Sequence, residues 1–121
     1  MRMRRLVVLS AAALLAVAFG RNVVSAEIRE GAKLEARPNS IWFQDEEKLA
    51  HWQELKAAGK AEALAAFEEE ELSEREAWQF EPALEVRVLD YEPDTHTVNV
   101  EMLTPGRMQG TTWFVDEGVV R

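Results

Sequence analysis

The chain has 121 residues, of which 22 are acidic and 14 are basic, and it contains no cysteine. This length suits one domain, and the lack of cysteine excludes disulfides, thiol catalysis and thiolate metal sites. The net charge of −8 makes nucleic acid and anionic lipid poor partners, so neither is predicted.

The first 26 residues are predicted to be an export signal. Residues 1–5 carry three arginines, residues 6–19 carry no charge, and Val24, Ser25 and Ala26 provide small residues at the usual cleavage spacing. The apolar run is short for a spanning helix, which needs about 20 residues, so cleavage is favoured over a membrane anchor. Removal of the signal leaves residues 27–121 as a single domain, periplasmic or secreted, with no stable membrane anchor.

Cleavage would also make the net charge more negative. Four of the 14 basic residues leave with the signal and all 22 acids stay, so the mature net charge is −12. Such a surface favours solubility, and it also accepts cationic partners.

The helical part is predicted at residues 44–78. Residues 32–43, which precede it, have a strand-like pattern that is interrupted by a turn signal at Pro38. Asp45 is a plausible N-cap, and Gly59 divides the segment into a helical hairpin, although one continuous helix is the alternative. Ser73 with Glu76 matches a capping box that would start one more helical turn, ending near Trp78.

The last third of the chain changes to a period of two. Apolar residues alternate on both sides of a turn at residues 92–96, which predicts a hairpin with one valine face: Val86, Val88, Val98 and Val100. A third strand is predicted around residues 108–115, followed by a short closing piece at Val119 and Val120.

This last part resembles the bacterial SH3-like barrel family. The alternating valines of residues 84–89, the stretch Val98, Asn99 and Val100, and the ending Gly110, Thr111, Thr112, Trp113, Phe114 and Val115 resemble that family's strands, although Thr112 stands where the family has a second glycine. The resemblance covers about a third of the chain. It implies a five-stranded barrel that binds peptides or cell-wall components without catalysis, with the helical segment inserted between barrel strands.

The sequence contains no convincing metal-binding or catalytic motif. Glu47 with His51 offers only two ligands, and Asp94 with His96 falls in a turn, where Asp is favoured for turn chemistry alone. The acids of residues 68–71 point in different directions and indicate a charged helix face. We therefore predict no metal, no cofactor and no enzyme activity.

The tryptophans are the better candidates for a site. Most are expected in the core, but an indole also suits a binding groove. The predicted ligand-binding residues are Trp113, Tyr91 and Arg107, with Trp42 as a second choice.

Together these observations predict an α+β fold, a small SH3-like antiparallel β-barrel with an inserted helical hairpin, preceded by a signal-peptide helix. The predicted function is a non-enzymatic binding or adaptor module of the bacterial envelope, whose partner is an envelope protein, a peptide or a cell-wall component. The alternative is a small envelope enzyme or a regulator of one.

Export can be tested by mass spectrometry of the protein taken from the envelope fraction. We expect Glu27 as the first residue, because the signal is cut after Ala26. Intact protein that begins at Met1 and stays in the membrane would contradict this prediction.

Overall fold

A computed structural model describes residues 27–121, so the predicted signal peptide lies outside the described residues. Among the described residues, no helix is both long enough and apolar enough to cross a membrane. The fold is α+β and combines one six-stranded antiparallel sheet with two helices, and the strands lie in the order β1-β4-β5-β6-β2-β3. The elements are β1 (Lys33–Ala36), β2 (Ser40–Phe43), α1 (Glu46–Ala57), α2 (Ala61–Ser73), β3 (Ala77–Phe80), β4 (Leu84–Glu92), β5 (Thr97–Met102) and β6 (Thr112–Asp116).

The predicted helical hairpin is present. Asp45 caps α1, since its side chain accepts a hydrogen bond of 2.8 Å from the backbone N–H of Glu47. Gly59, at a φ of +70°, separates α1 from α2, so the chain forms two helices rather than one.

The chain after α2 differs from the prediction. The hydroxyl of Ser73 donates to the carbonyl of Glu70 inside α2, so Ser73 ends this helix instead of capping a new one. Arg75 then takes a left-handed conformation, and Trp78 lies in β3. The extra helical turn was wrong because four residues of strand pair with β2, a distant contact that no local pattern signals.

The predicted valine hairpin is confirmed. Strands β4 and β5 pair with Val88 opposite Val100, and Val86, Val88, Val98 and Val100 are all buried on the same face. A bulge between Val88 and Asp90 shifts the register, and a short 3₁₀ turn at Pro93–Thr95 connects the strands.

The segment predicted to be one opening strand is two strands at distant places in the sheet. Strand β1 occupies one edge beside β4, whereas β2 lies between β6 and β3. Only residues 37–39 connect them, with Asn39 at a φ of +60°. The sheet therefore curls strongly, because so short a connection must join strands that are separated by three others.

The curled sheet is not closed. Strands β1 and β3 are its two edges and do not pair, so the closed five-stranded barrel implied by the resemblance is not what the described residues form. Val119 and Val120 were predicted to form a closing strand. Instead, Val119 is the last residue of a 3₁₀ turn at Glu117–Val119, Val120 follows it, and both are buried in the core.

Two cores lie on the two faces of the sheet. The larger one fills the curled inside: Ile28, Leu34, Ala36, Trp42, Val86, Val88, Val98, Val100, Met102, Trp113, Val115, Val119 and Val120. The smaller one packs the helices against the outer face: Ile41, Phe43, Leu49, Trp52 and Ala77. Strand β2 serves both cores, because its side chains alternate between the faces.

Candidate functional site

The predicted tryptophan surface does not exist. Trp42 is fully buried and Trp113 is 2% exposed. Their ring centroids are 6.2 Å apart, and Phe80 packs edge-on against both, at 4.7 Å from Trp42 and 5.8 Å from Trp113. These three rings form the aromatic part of the inner core, so neither indole is placed to receive a ligand.

Both buried indoles also have their polar group satisfied in the same way. The N–H of Trp42 donates to the hydroxyl of Ser40 at 2.9 Å, and the N–H of Trp113 donates to the hydroxyl of Thr111 at 2.7 Å. A buried indole needs such a partner, and here a hydroxyl two residues earlier supplies it. The pattern is visible in the sequence and favours burial over ligand binding.

Tyr91 and Arg107 do not join these tryptophans in a site. The Tyr91 hydroxyl donates to Glu117 at 2.5 Å and accepts from Arg121 at 3.2 Å. Arg107 is exposed in the loop between β5 and β6, and within residues 27–121 its side chain has no ion pair or hydrogen bond. Tyr91 packs against the inner core that contains Trp113, and the burial of Trp113 leaves the predicted ligand surface without its central indole.

The surface instead has a groove between α1 and the place where the sheet stays open, between its edge strands β1 and β3, which we call the seam. Its first part is a depression of about 370 Å³, lined by Arg37, Pro38, Asn39, Ser40, Ile41, Trp52, Lys56, Glu68, Gln79, Asp116, Gly118 and Val119. Its second part is a depression of about 340 Å³, lined by Trp52, Gln53, Lys56, Ala57, His96 and Asp116. Because both parts share Trp52, Lys56 and Asp116, they form one surface, which we call the α1 groove.

Trp52 forms the floor of the α1 groove. It is 8% exposed, and its N–H donates to a carboxylate oxygen of Glu68 at 2.7 Å, which fixes α1 to α2. The ammonium of Lys56, one helical turn later, lies 4.8 Å from the indole centroid in a cation–π contact. The spacing of four residues places Lys56 over Trp52, so the cation lies at the groove surface.

Gln53 and Asp116 hold the second wall. The amide of Gln53 donates to Asp116 at 2.8 Å and to the backbone carbonyl of His96 at 3.2 Å. The other carboxylate oxygen of Asp116 accepts from the backbone N–H of Gly118 at 2.9 Å and caps the last 3₁₀ turn. These bonds tie α1 to the β4–β5 turn and to the end of β6.

A network around Glu117 supports this wall from behind. Its carboxylate accepts from Tyr91 and lies 3.2 Å from Nδ1 of His96 and 3.6 Å from Nε of Arg121. The Tyr91 hydrogen bond, together with His96 and Arg121, lowers the pKa of Glu117. The same hydrogen bond to Glu117 raises the pKa of Tyr91, because it favours the neutral phenol.

Two cations of the α1 groove have no Asp or Glu side chain as a partner among the described residues. Neither Lys56 nor Arg37 takes part in an ion pair within residues 27–121. Nε and one NH2 group of Arg37 donate to the backbone carbonyl of Arg121 at 3.1 and 2.9 Å, which holds the guanidinium beside the groove. In a protein of strongly negative charge, the groove therefore offers two fixed positive groups.

The acids of residues 68–71 were predicted to form a charged, solvated helix face, but one of them is buried. Glu71 is 1% exposed and pairs with Lys48 at 3.2 Å, and this hydrogen bond raises the pKa of Lys48. His51 lies 3.6 Å from Glu54 and packs edge-on against Phe67, not toward Glu47. Within the part of the chain that the structure describes, no group of three or more His, Asp or Glu side chains is placed to hold a metal ion.

Sequence reasoning missed the α1 groove because its walls come from six separate segments of the chain. Only the pairing of Trp52 with Lys56 has a local signal, the spacing of four residues on a helix. No protein-family model matches the chain, and neither the curated proteins nor the solved structures contain a significant match to it.

The Glu117 network makes stability depend on pH. The lowered pKa of Glu117 means that its contribution is present above its ordinary value and is lost as pH falls through the lowered one. Glu117→Gln should cost about 1–2 kcal/mol of unfolding free energy at neutral pH, since it removes hydrogen bonds to a charged group, and the cost should shrink in acid.

Urea unfolding measured from neutral to acidic pH checks this prediction. Glu92→Gln is the matched control, because Glu92 is exposed at the end of the same strand as Tyr91 and makes no side-chain hydrogen bond or ion pair within the described residues. A Glu117→Gln cost that is the same at every pH would rule out the titration of this carboxylate as its cause.

Proposed function

We propose that this chain is an exported, non-enzymatic binding module of the bacterial envelope, and that the α1 groove is its binding surface. The observation that carries the proposal is the pair of joined depressions over Trp52, beside which Lys56 and Arg37 form no ion pair with an Asp or Glu side chain of residues 27–121. Binding grooves commonly combine an apolar floor with a few convergent polar groups.

The chemistry of the groove favours a ligand with carbonyl or carboxylate groups. Both depressions lie against the same part of α1, and their rims present amide side chains at Gln53, Gln79 and Asn39. Amides and fixed cations bind carbonyl and carboxylate groups, which are the polar groups of a peptide and of a cell-wall segment alike. An envelope protein, a peptide or a cell-wall segment thus remains the proposed partner class.

The groove favours binding over catalysis. Its two carboxylates already serve the fold: Glu68 accepts from the Trp52 indole, and both oxygens of Asp116 accept from Gln53 and Gly118. A general acid or base instead needs a carboxylate free to exchange a proton with a substrate. We keep the SH3-like relationship of β4, β5 and β6 as part of the proposal, because ligand binding without catalysis is what that resemblance implies.

The proposal can be tested with the immobilised protein, incubated separately with solubilised cell-wall fragments and with an envelope protein extract. We expect retention of one of the two by the unchanged protein, and about tenfold weaker retention by Lys56→Ala, which removes a groove cation. Lys60→Ala is the matched control, since Lys60 is an exposed cation four residues further on that does not line the groove.

Two outcomes would contradict the proposed site. Retention that Lys56→Ala leaves unchanged would place binding elsewhere, and no retention in either arm would remove the evidence for a binding module. Hydrolysis of cell-wall fragments that is lost in both Glu68→Gln and Asp116→Asn would favour the enzyme alternative.

A further inference from the structure

The two edges of the open sheet are built differently. The edge strand β1 alternates buried Leu34 and Ala36 with the exposed charges Lys33 and Glu35. Exposed charges of this kind prevent another strand from pairing with an edge. The opposite edge, β3, has the sequence Ala-Trp-Gln-Phe and carries no charge at all. Only β3 is therefore chemically open to pairing.

The backbone of β3 presents a free position at Gln79. The N–H of Gln44 donates to the backbone carbonyl of Glu76, so these two residues direct backbone groups toward each other. Trp78 lies opposite Trp42, two positions further along the paired strands. Antiparallel pairs alternate, so Trp78 and Phe80 direct their backbone groups toward β2, and Ala77 and Gln79 direct theirs away. The carbonyl of Phe80 does accept from the N–H of Asn39, on the β2 side. Ala77 is buried whereas Gln79 is exposed, so Gln79 is the accessible position.

An exposed tryptophan lies on the same strand. Trp78 is 38% exposed and is the large hydrophobic residue that residues 27–121 leave in solvent. A depression of about 390 Å³ runs along this edge and is lined by Leu72, Arg75, Ala77, Trp78 and Gln79. Edge, aromatic side chain and depression thus coincide, which is the composition expected at the centre of a protein interface.

The charges beside β3 differ at its two ends. Arg75 lines the depression before the strand, and Glu81 follows the strand. The acids that flank Arg75 in sequence, Glu74 and Glu76, lie near Lys48, whose pKa they help to raise. Of the charged residues before the strand, Arg75 is the one that lines the edge depression. Antiparallel pairing of two copies would bring unlike ends together, whereas parallel pairing would bring like ends together.

We propose that β3 pairs with β3 of a second copy of this chain, antiparallel and about a two-fold axis at Gln79. The exposed backbone groups of the two Gln79 residues bond to each other across the axis. Trp78 of each copy then lies opposite Phe80 of the other on the same face, in a pair typical of stable sheets. In this register Glu81 of the second copy lies opposite Ala77, so Arg75, two residues before Ala77, is at the same end of the paired strands as that glutamate. This self-complementarity is what a two-fold interface requires.

This inference goes beyond the proposed function and does not depend on the α1 groove being a binding site. Gln79 nevertheless lines both the groove and the β3 edge depression. A dimer formed through β3 would therefore place two α1 grooves on either side of the shared axis.

Sedimentation velocity of the purified protein over a range of concentrations tests the proposal. The unchanged protein should dimerise, and Gln79→Pro should raise the dissociation constant by about tenfold or more, because proline removes the outward N–H. The ladder with β2 should survive, since that N–H does not bond to β2. Gln79→Ala keeps the N–H and is the matched control, which should dimerise like the unchanged protein.

Trp78→Lys is a second variant, and it leaves the backbone N–H groups intact. It should also weaken the dimer, because it places a positive charge on each edge strand. Thermal unfolding of each variant verifies that it is folded. A monomer at every concentration for the unchanged protein would overturn the proposal, as would a dimer that neither Gln79→Pro nor Trp78→Lys weakens. Capture of an unrelated extended peptide by a monomeric protein would assign the edge to a different partner.

Discussion

The short connection between β1 and β2 is the constraint on which the rest of the structure depends. Three strands separate β1 from β2 in the sheet, so a flat sheet would place them about 19 Å apart, at about 4.8 Å for each spacing. The chain from Ala36 to Ser40 spans at most about 15 Å. The sheet must therefore curl, and the curl encloses one face as a core in which Leu34 and Ala36 of β1 share one cluster with Trp42 of β2.

The curl leaves a seam that the C-terminal segment covers, and the α1 groove is a consequence of that seam. Arg37 donates its backbone N–H to Val119 at 2.8 Å and its side chain to Arg121, so the β1–β2 connection is fastened to the last residues. Glu117 fastens the same segment to the β4–β5 turn through His96 and Tyr91. Since the sheet does not close by strand pairing, side chains of several segments meet at the seam and leave open space between them.

Local patterns in the sequence predicted the elements whose partners are close in the chain. The β4–β5 hairpin and the division of the helices at Gly59 were right because period and turn chemistry determine them within a few residues. Strand β3 was missed, since only three residues separate it from the helix before it and its four residues become a strand only by pairing with β2. The groove could not be predicted for the same reason. Trp113 was misplaced because an indole suits both a core and a binding surface, and its hydrogen bond to Thr111 decides for the core.

The most direct test of this account is the hydrogen bond from the Arg37 N–H to the Val119 carbonyl, which joins the β1–β2 connection to the C-terminal segment. Nuclear magnetic resonance detects such a bond as a scalar coupling between the amide nitrogen and the carbonyl carbon, and hydrogen exchange reports its protection. The account predicts a measurable coupling and an Arg37 amide that exchanges as slowly as the amides of the β4–β5 ladder. An Arg37 amide that exchanges at the rate of an open loop, with no coupling to Val119, would contradict it.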